Sequence, residues 1–595
     1  MKNIKIIFLF FILPILVYSQ ATNSKINPKD FTFAILGDRT GSAEQKIFAQ
    51  VLFAIDSINP DFAINVGDLI EGYTQNETTI NLEWDSIFSN LGKLKEKFYF
   101  TPGNHDIWDS LSYQIYLNRI GYQKPYYTFS IGKIHFIVLD NSRQEKVNEI
   151  DTVQLSWLVS KLTKFNKKDI IFCFMHKSFW KDAFLNNKPD TLHKLFVKYG
   201  VDYVFSGHDH FYCQLNWDGV TYTQLGPSGS RYKIYRKEEL GAFQNFGFVS
   251  VKDNKVNLKV IKVEQDTETS KFITTQLSPD VVTMRDIQEI KKLEQAIQIT
   301  PFEVSKTNSI LVKVTNINET PIKTQCEWIV ENNDWTISPI QQIFEVSGNN
   351  YLQYEFSADI KSDSIYPLPQ IKLLYPYAQG KKLYPVERLL PIKLSASCIR
   401  TPRQINLDGK LTELIWQESK PIYTFGSSDG KISATDPWQV IFAYDNNYIY
   451  IGTKMWDDEI EKISTTIKER DEKVYNDDHL NFILQPNVKG DTYYQFFVNA
   501  NGVVMDRKCY LIGNDSKKDA KWNCNIIAKG QIVKTKSFKG WTLEIAIPLK
   551  DLTQEIPKEW GFNLVRFQKR KDAVSIYSVP FEHNPKTFAS LKFVE

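Results

Sequence analysis

From Phe31 to about residue 264, short apolar runs alternate with amphipathic stretches. "FTFAIL", "DFAINVGD", "KFYFTPGN", "IHFIVLD", "IIFCFMH" and "VDYVFSGHDH" predict strands, several ending on a polar cluster. Between them, "EQKIFAQVLFAIDSI" and "TVQLSWLVSKLTKF" place apolar residues at helical spacing. Strands alternating with helices predict a layered α/β domain over residues 28–264. In such domains the loops after the strands' carboxyl ends form the usual site.

Beyond residue 265 the pattern changes to period-two alternation broken by Asn, Pro and Gly turns, as in "SILVKVTNINETPIKTQCEWIV" and "YLQYEFSADI". Residues 265–395 therefore predict a β-sandwich of immunoglobulin-like size, read as a spacer, after one helix in "RDIQEIKKLEQAI". A third strand-rich unit covers 396–595, with "WQVIFAYDNNYIYIGTKM", "DHLNFILQP", "YYQFFVNANG" and "WTLEIAIP". The chain opens with Lys2, Lys5 and a thirteen-residue apolar run from Ile6 to Tyr18, short for a bilayer span. Small residues near Ser19 predict a signal peptide, 1–19, and export to a bacterial periplasm or the extracellular space. No later segment is apolar enough to predict a transmembrane span.

Composition narrows the partners. A net charge of +3 over 595 residues argues against nucleic acid as a dedicated partner. Six cysteines are too few for a disulfide scaffold. In an oxidising setting Cys509 and Cys524 either pair or remain buried thiols.

The polar clusters that end the strands carry the chemistry. They are "GDRTG" with Asp38, "VGDLIEG" with Asp68, "PGNHD" with Asn104, His105 and Asp106, "MHKSF" with His176, and "GHDH" with His208 and His210. Carboxylate, amide oxygen and imidazole donors suit divalent or trivalent Fe, Mn or Zn. A carboxylate shared by two such ions assists phosphoryl displacement. Glycines before Asp68, Asn104 and His208 allow sharp turns.

In this order the clusters resemble the five signature blocks of the calcineurin-like metallophosphoesterases, which include the purple acid phosphatases, over residues 30–250. The resemblance implies a four-layer α/β sandwich and two metal ions (Fe, Mn or Zn). It implies Asp68 as the bridging carboxylate, with Asn104, His176 and His208 completing one site and Asp38 and His210 serving the other. His105 would face substrate, oriented by Asp106, and hydroxide activated by the metals would attack phosphorus. Most members carry a histidine where this chain has Thr40. Glu71, three residues after Asp68, either replaces that ligand or is a solvated loop residue. Arg39 is expected near bound phosphate, where a guanidinium can bind two oxygens.

"INLDGKLTELIW", "FAYDNNYIYIGTKMWDDE", "NDDHLNFILQP", "FFVNANGVVMD" and "GWTLEIAIP" resemble family 9 carbohydrate-binding modules over residues 398–595. That resemblance implies a glycan partner and a C-terminal β-sandwich. Trp416, Trp541 and Trp560 read as core. Trp438, Trp456 and Trp522 have polar neighbours and are candidate sugar platforms. The pairs Asp457–Asp458 and Asp477–Asp478 are either calcium ligands or solvated turn charges. Two functions are consistent with these features. One is an exported metal-dependent phosphoesterase acting on a phosphomonoester or phosphodiester, with a carbohydrate-binding module. The other is a catalytically impaired glycan-binding protein. No carboxylate pair in a sugar-cleaving context supports a glycosidase.

Overall fold

A computed structural model describes residues 26–595 except 267–268, 305–307, 513–514 and 557. The expected leader, 1–19, lies outside the described residues. Two compact units divide at Lys291/Lys292.

The first unit holds two six-stranded sheets. Chain order in its first half is β1 (Asp30–Leu36), α1 (Gln45–Ile58), β2 (Phe62–Asn65), α2 (Glu77–Leu91), β3 (Phe98–Tyr99) and α3 (Ser110–Ile120). Then come β4 (Tyr127–Ile131), β5 (Ile134–Val138), α4 (Thr152–Leu162), β6 (Ile170–Phe174), α5 (Phe179–Leu185) and α6 (Thr191–Tyr199). The unit finishes with β7 (Tyr203–Ser206), β8 (Cys213–Trp217), β9 (Val220–Gln224), β10 (Asn245–Lys252), β11 (Lys255–Gln265) and β12 (Phe272–Leu277). One sheet runs β12-β11-β10-β1-β2-β3, the other β4-β5-β6-β7-β9-β8. Strands β1–β2–β3 and β5–β6–β7–β9 are parallel, which directs their carboxyl ends to a common edge within each sheet.

Phenylalanine fills the space between these sheets. Phe33 and Phe62 stack at 4.9 Å, and each meets Phe136 of the opposite sheet edge-on, at 5.5 and 5.4 Å. Edge-to-face geometry sets the positive ring rim against the negative face, adding about 0.5–1.5 kcal/mol per pair to burial. Outside the first sheet, Phe48, Val51 and Ile55 of α1 pack with Ile80, Trp84 and Ile87 of α2. Helices start on side-chain caps: Asn76 accepts the Thr79 N–H, and Asp109 and Ser112 form a reciprocal capping box. On the second sheet, Trp180 of α5 lies 5.1 Å from Tyr222 of β9. His193 of α6, which helical patterning places at the surface, is buried there instead. It stacks on Trp217 at 3.7 Å and bonds the Tyr222 hydroxyl at 2.7 Å.

The expected boundary at 264/265 falls inside a hairpin. Strand β12 pairs with β11 in full register, so the first unit continues beyond the texture change and α7 (Met284–Leu293) lies at the division. The second unit begins with two four-stranded antiparallel sheets that meet through Trp328, Phe344 and Phe356. Twelve further strands, from 395 to 594, form one continuous sheet. It folds back on itself, because Arg566 on the strand Glu559–Gln568 reaches the carbonyl of Trp456 at 2.6 Å, although three strands separate the two in sheet order. The core between its halves includes Phe442, Phe482, Trp541, Trp560 and Phe562. Both sandwiches belong to the same compact unit, 292–595. Among the described residues no helix is long and apolar enough to cross a membrane.

Candidate metal centre

The named residues of each cluster sit two to seven positions past the end of a parallel strand. Asp38 follows β1, Asp68 follows β2, Asn104 to Asp106 follow β3, His176 follows β6, and His208 and His210 follow β7. The backbone there is bent out of ordinary strand geometry: Asp68, His208 and His210 have φ of 59°, 79° and 56°. Non-glycine residues enter this left-handed region at a cost of about 1–3 kcal/mol, so the surrounding bonds must hold them. They do so. The His208 N–H donates to Asp38 at 2.9 Å, and the His105 N–H donates to Asp68 Oδ1 at 2.9 Å. Buried Asp106 accepts the N–H groups of Asp68, Leu69 and Gly103 at 2.8, 2.9 and 2.9 Å.

Two groups of donors result. Asp68, His176 and His208 form one, and Asp38, Asp68 and His210 form the other, each with its donor atoms within 4.8 Å of one another. His176 Nε2 lies 3.2 Å from Asp68 Oδ2, 2.9 Å from Asn104 Oδ1 and 3.2 Å from His208 Nδ1. His210 Nε2 lies 3.3 Å from Asp38 Oδ2. Carbonyls fix the ring orientations, since His176 Nδ1 bonds Val66 O at 2.8 Å and His210 Nδ1 bonds Arg231 O at 2.7 Å. Donating Nδ1–H to a carbonyl leaves the Nε2 lone pair directed into the cluster, which is how ligating histidines are held. Oxygen and nitrogen donors converging in this way suit a cation, and the residues fit one.

Two glycines make room for the carboxylates. A Cβ on Gly103 would lie 2.1 Å from Asp68 Oδ1, and one on Gly207 would lie 2.1 Å from Asp38 Oδ1. Gly207→Ala is therefore expected to push Asp38 out of line and lower metal content at least tenfold relative to wild type. Elemental analysis alongside a thermal melt checks this: a folded variant with undiminished metal would contradict it.

The charges are strongly coupled. Burial alone would raise the Asp68 carboxyl, but the His176 charge and hydrogen bond, with His105, hold it well below the carboxylate range. Burial would lower His176, yet Asp68 and then Asp38 raise it to about 9. Burial and the neighbouring His176 charge push His208 down to about 2. Asp106 is raised to about 6 by burial and by the Asp68 charge. In the metal-free centre a proton on His176 thus stands where a cation's charge belongs.

Other expected site residues are placed differently. Glu71 belongs to neither donor group; its Oε1 accepts the Ala43 N–H at 3.3 Å. The second group therefore has Asp38, Asp68 and His210 without the expected carboxylate, while Thr40 is buried with an unpartnered hydroxyl. Arg39, expected beside phosphate, is 5% exposed; it donates to Leu69 O at 3.0 Å and lies over Phe48 at 5.7 Å. There it compensates the charges of Glu71, Glu83 and Asp106. His105 Nδ1 bonds Glu71 O at 2.6 Å, freeing Nε2 for another partner.

Tyr73 is a neighbour that the sequence did not single out. Its hydroxyl accepts from Asn104 Nδ2 at 2.9 Å and its exposed ring meets His105 edge-on at 4.8 Å. The signal was a tyrosine five residues after Asp68, in a turn shaped by positive φ at Gly72 and Tyr73.

In the C-terminal sandwich, Trp438 is no platform: it is 1% exposed and stacked on Phe425 at 3.6 Å. Trp456 and Trp522 are half-buried, the first against Phe538 at 5.4 Å and the second against Tyr494 at 4.7 Å. The acidic pairs face donors rather than a calcium-sized gap. Asp457 binds Arg570 at 2.7 Å, and Asp477 accepts the hydroxyls of Ser464 and Thr466 at 2.8 and 2.7 Å. At Asp457 and Asp477 hydrogen-bond donors occupy the lone pairs that calcium would need, and although Asp478 Oδ1 is unpartnered, the structure does not support calcium here. Cys509 and Cys524 are buried free thiols.

Residues 31–212 match the family model described as calcineurin-like phosphoesterase, and residues 407–585 match the model described as carbohydrate family 9 binding domain-like. The chain is similar to a dimetal phosphatase from Danio rerio, at 14% identity and a TM-score of 0.29, covering 42% of this chain and 100% of that one. It is similar to a family 9 carbohydrate binding module from Caldicellulosiruptor kristjanssonii solved with cellotriose, at 14% identity and a TM-score of 0.25, covering 33% and 93%. It is also similar to GAP50, the anchor in the inner membrane complex of Plasmodium, at 16% identity and a TM-score of 0.31, covering 44% and 94%. No curated protein matches the sequence.

Proposed function

With a phosphoesterase-like and a family 9-like segment in one chain, we propose an exported, metal-dependent hydrolase of a phosphomonoester or phosphodiester that its C-terminal domain holds at a glycan. The observation that carries this reading is the pair of donor groups sharing Asp68, assembled from the ends of strands in both sheets. Two Fe, Mn or Zn ions held there would supply water activation and charge stabilisation for phosphoryl displacement. Asp68 would contribute to both ions, His176, His208 and Asn104 to one, and Asp38 and His210 to the other. His105, its Nδ1–H engaged by Glu71 O, presents Nε2, which in the imidazolium form would donate its proton to the ester's leaving oxygen. Asp106 acts through the backbone, fixing the turns that carry Asp68 and Asn104.

Aryl phosphomonoesters and diesters assayed with added Mn, Fe or Zn test the reading, and no turnover with any of these metals overturns it. One observation favours the second reading, an inactive glycan-binding protein: Thr40 and Glu71 leave the Asp38 group with three donors. Retained polysaccharide binding without turnover would establish it. Export rests on the leader pattern and predicts a mature chain beginning at Gln20.

A pH dependence follows from His176. Its proton must leave before Nε2 can ligate, and that proton is held up to about 9. Below that pH, metal uptake releases a proton, so apparent affinity is expected to rise about tenfold per unit from pH 6.5 towards 9. The stability effect has the opposite sign. A folded value raised above the unfolded one stabilises the metal-free chain fully below the ordinary value, and this is lost as pH rises through about 9. Metal titrations and apo-protein melts across that range check both; flat profiles would contradict them.

A further inference from the structure

The segment that leaves His210 is unusually basic. Residues 231–237 read "RYKIYRK", and both ends are pinned to the centre's surroundings. At one end, Arg231 O holds His210 Nδ1 at 2.7 Å and the Ser230 hydroxyl lies 2.8 Å from the same nitrogen. At the other, Tyr235 packs edge-on against Phe211, the residue after His210, at 4.8 Å, with the Lys291 ammonium 5.5 Å above its ring. Lys233 sits between these anchors, exposed, two residues along from the carbonyl that holds His210. A second lysine of the surroundings, Lys177, which follows His176 in the chain, is already matched: its ammonium bonds Glu145 at 2.7 Å and Gln144 O at 2.8 Å. Lys233 has no such carboxylate among the described residues.

An unmatched cation beside a cation-binding centre opposes metal uptake by like-charge repulsion. The scissile phosphate does not require it, because the cations that the donor groups would hold supply the charge facing that phosphate. A second negative group, bound one lysine length away, removes the penalty and converts the field into attraction. We infer that the segment 231–237, through Lys233, selects phosphate esters carrying a further anionic group beyond the scissile phosphorus. This rests on the hydrolytic reading for its substrate, though not for its binding.

The test compares p-nitrophenyl phosphodiesters whose second alcohol is ethanol, a phosphate-bearing alcohol or choline. With the metal-loaded full chain, kcat/KM is expected to favour the phosphate-bearing ester over the ethyl ester roughly tenfold, mainly through KM, with choline poorest. Lys233→Gln should reduce that ratio below about twofold, while Lys255→Gln, the same charge change on the distant β10–β11 hairpin, leaves it intact. Equal ratios in the wild type, or a preference that survives Lys233→Gln, overturn the inference. Calorimetry separates the two readings if no ester is hydrolysed. Pyrophosphate binding about tenfold tighter than phosphate, and lost in Lys233→Gln, would uphold the segment's role while the hydrolytic reading falls. Equal binding of the two anions would sink it. Thermal melts confirm that each variant folds.

Discussion

Asp68→Asn should remove phosphate-ester turnover by about three orders of magnitude or more, the scale expected when a group that binds and stabilises the transition state is lost. Asp68 is the residue common to both donor groups, so neither keeps its full set without it. The variant also separates chemistry from folding. In the metal-free chain the Asp68 carboxylate is the main counter-charge of His176, buried beside it at 3.2 Å. Removing one partner of a buried pair costs about 3–5 kcal/mol where the other stays charged. His176 can escape that cost by releasing its proton, so the stability loss should be largest at low pH and fade towards about 9. Turnover, in contrast, should be absent at every pH. Activity in Asp68→Asn within tenfold of wild type would contradict the assignment.

The second large effect lies in the C-terminal sandwich. Arg566 is fully buried and donates to Trp456 O at 2.6 Å and Pro437 O at 3.2 Å, with Asp457 at 3.7 Å. Arg566→Leu removes the guanidinium from Trp456 O and leaves Pro437 O with only the Trp456 N–H at 3.0 Å, while Asp457 keeps Arg570 at 2.7 Å. Because that carboxylate stays paired, the loss belongs at the lower end of the buried-pair range, about 3 kcal/mol. A fall in Tm of roughly 10 °C is expected for a domain of this size. The exposed Arg400–Glu595 pair at 3.0 Å is the comparison, where Arg400→Leu should shift the melt little. Similar melts for the two variants would show that Arg566 does not join the sheet's halves.

The sequence was most legible where an apolar run stops on a polar cluster. "FTFAIL" before Asp38 and "IIFCF" before His176 announce buried strands and mark their ends, and parallel pairing brings those ends together. Side chains whose surroundings come from distant parts of the chain were harder to place. Trp438 has polar neighbours along the chain, yet antiparallel pairing turns its ring inward under Phe425. His193 looks like a surface position until β8 and β9 bring Trp217 and Tyr222 against it. The sequence left Glu71 open between ligand and loop residue and did not single out Tyr73, because a turn with positive φ, and not residue spacing, decides which side chain reaches Asn104. Strand β12 was hard to read for a related reason: "FITTQL" is exposed and weakly patterned, and only its partner β11 makes it a strand.

The joint between the two sandwiches limits how the chain can be dissected. The Tyr366 hydroxyl donates to Tyr577 O at 2.6 Å, and its ring lies where a Cβ on Gly426 would come within 2.5 Å. Lys420 pairs with Asp363 at 2.6 Å across the same joint. A fragment cut at 396 to isolate the family 9-like piece would bare Phe425 and Tyr577 to water and tend to clump. The practical excision point is near 292, carrying both sandwiches as one article of manufacture.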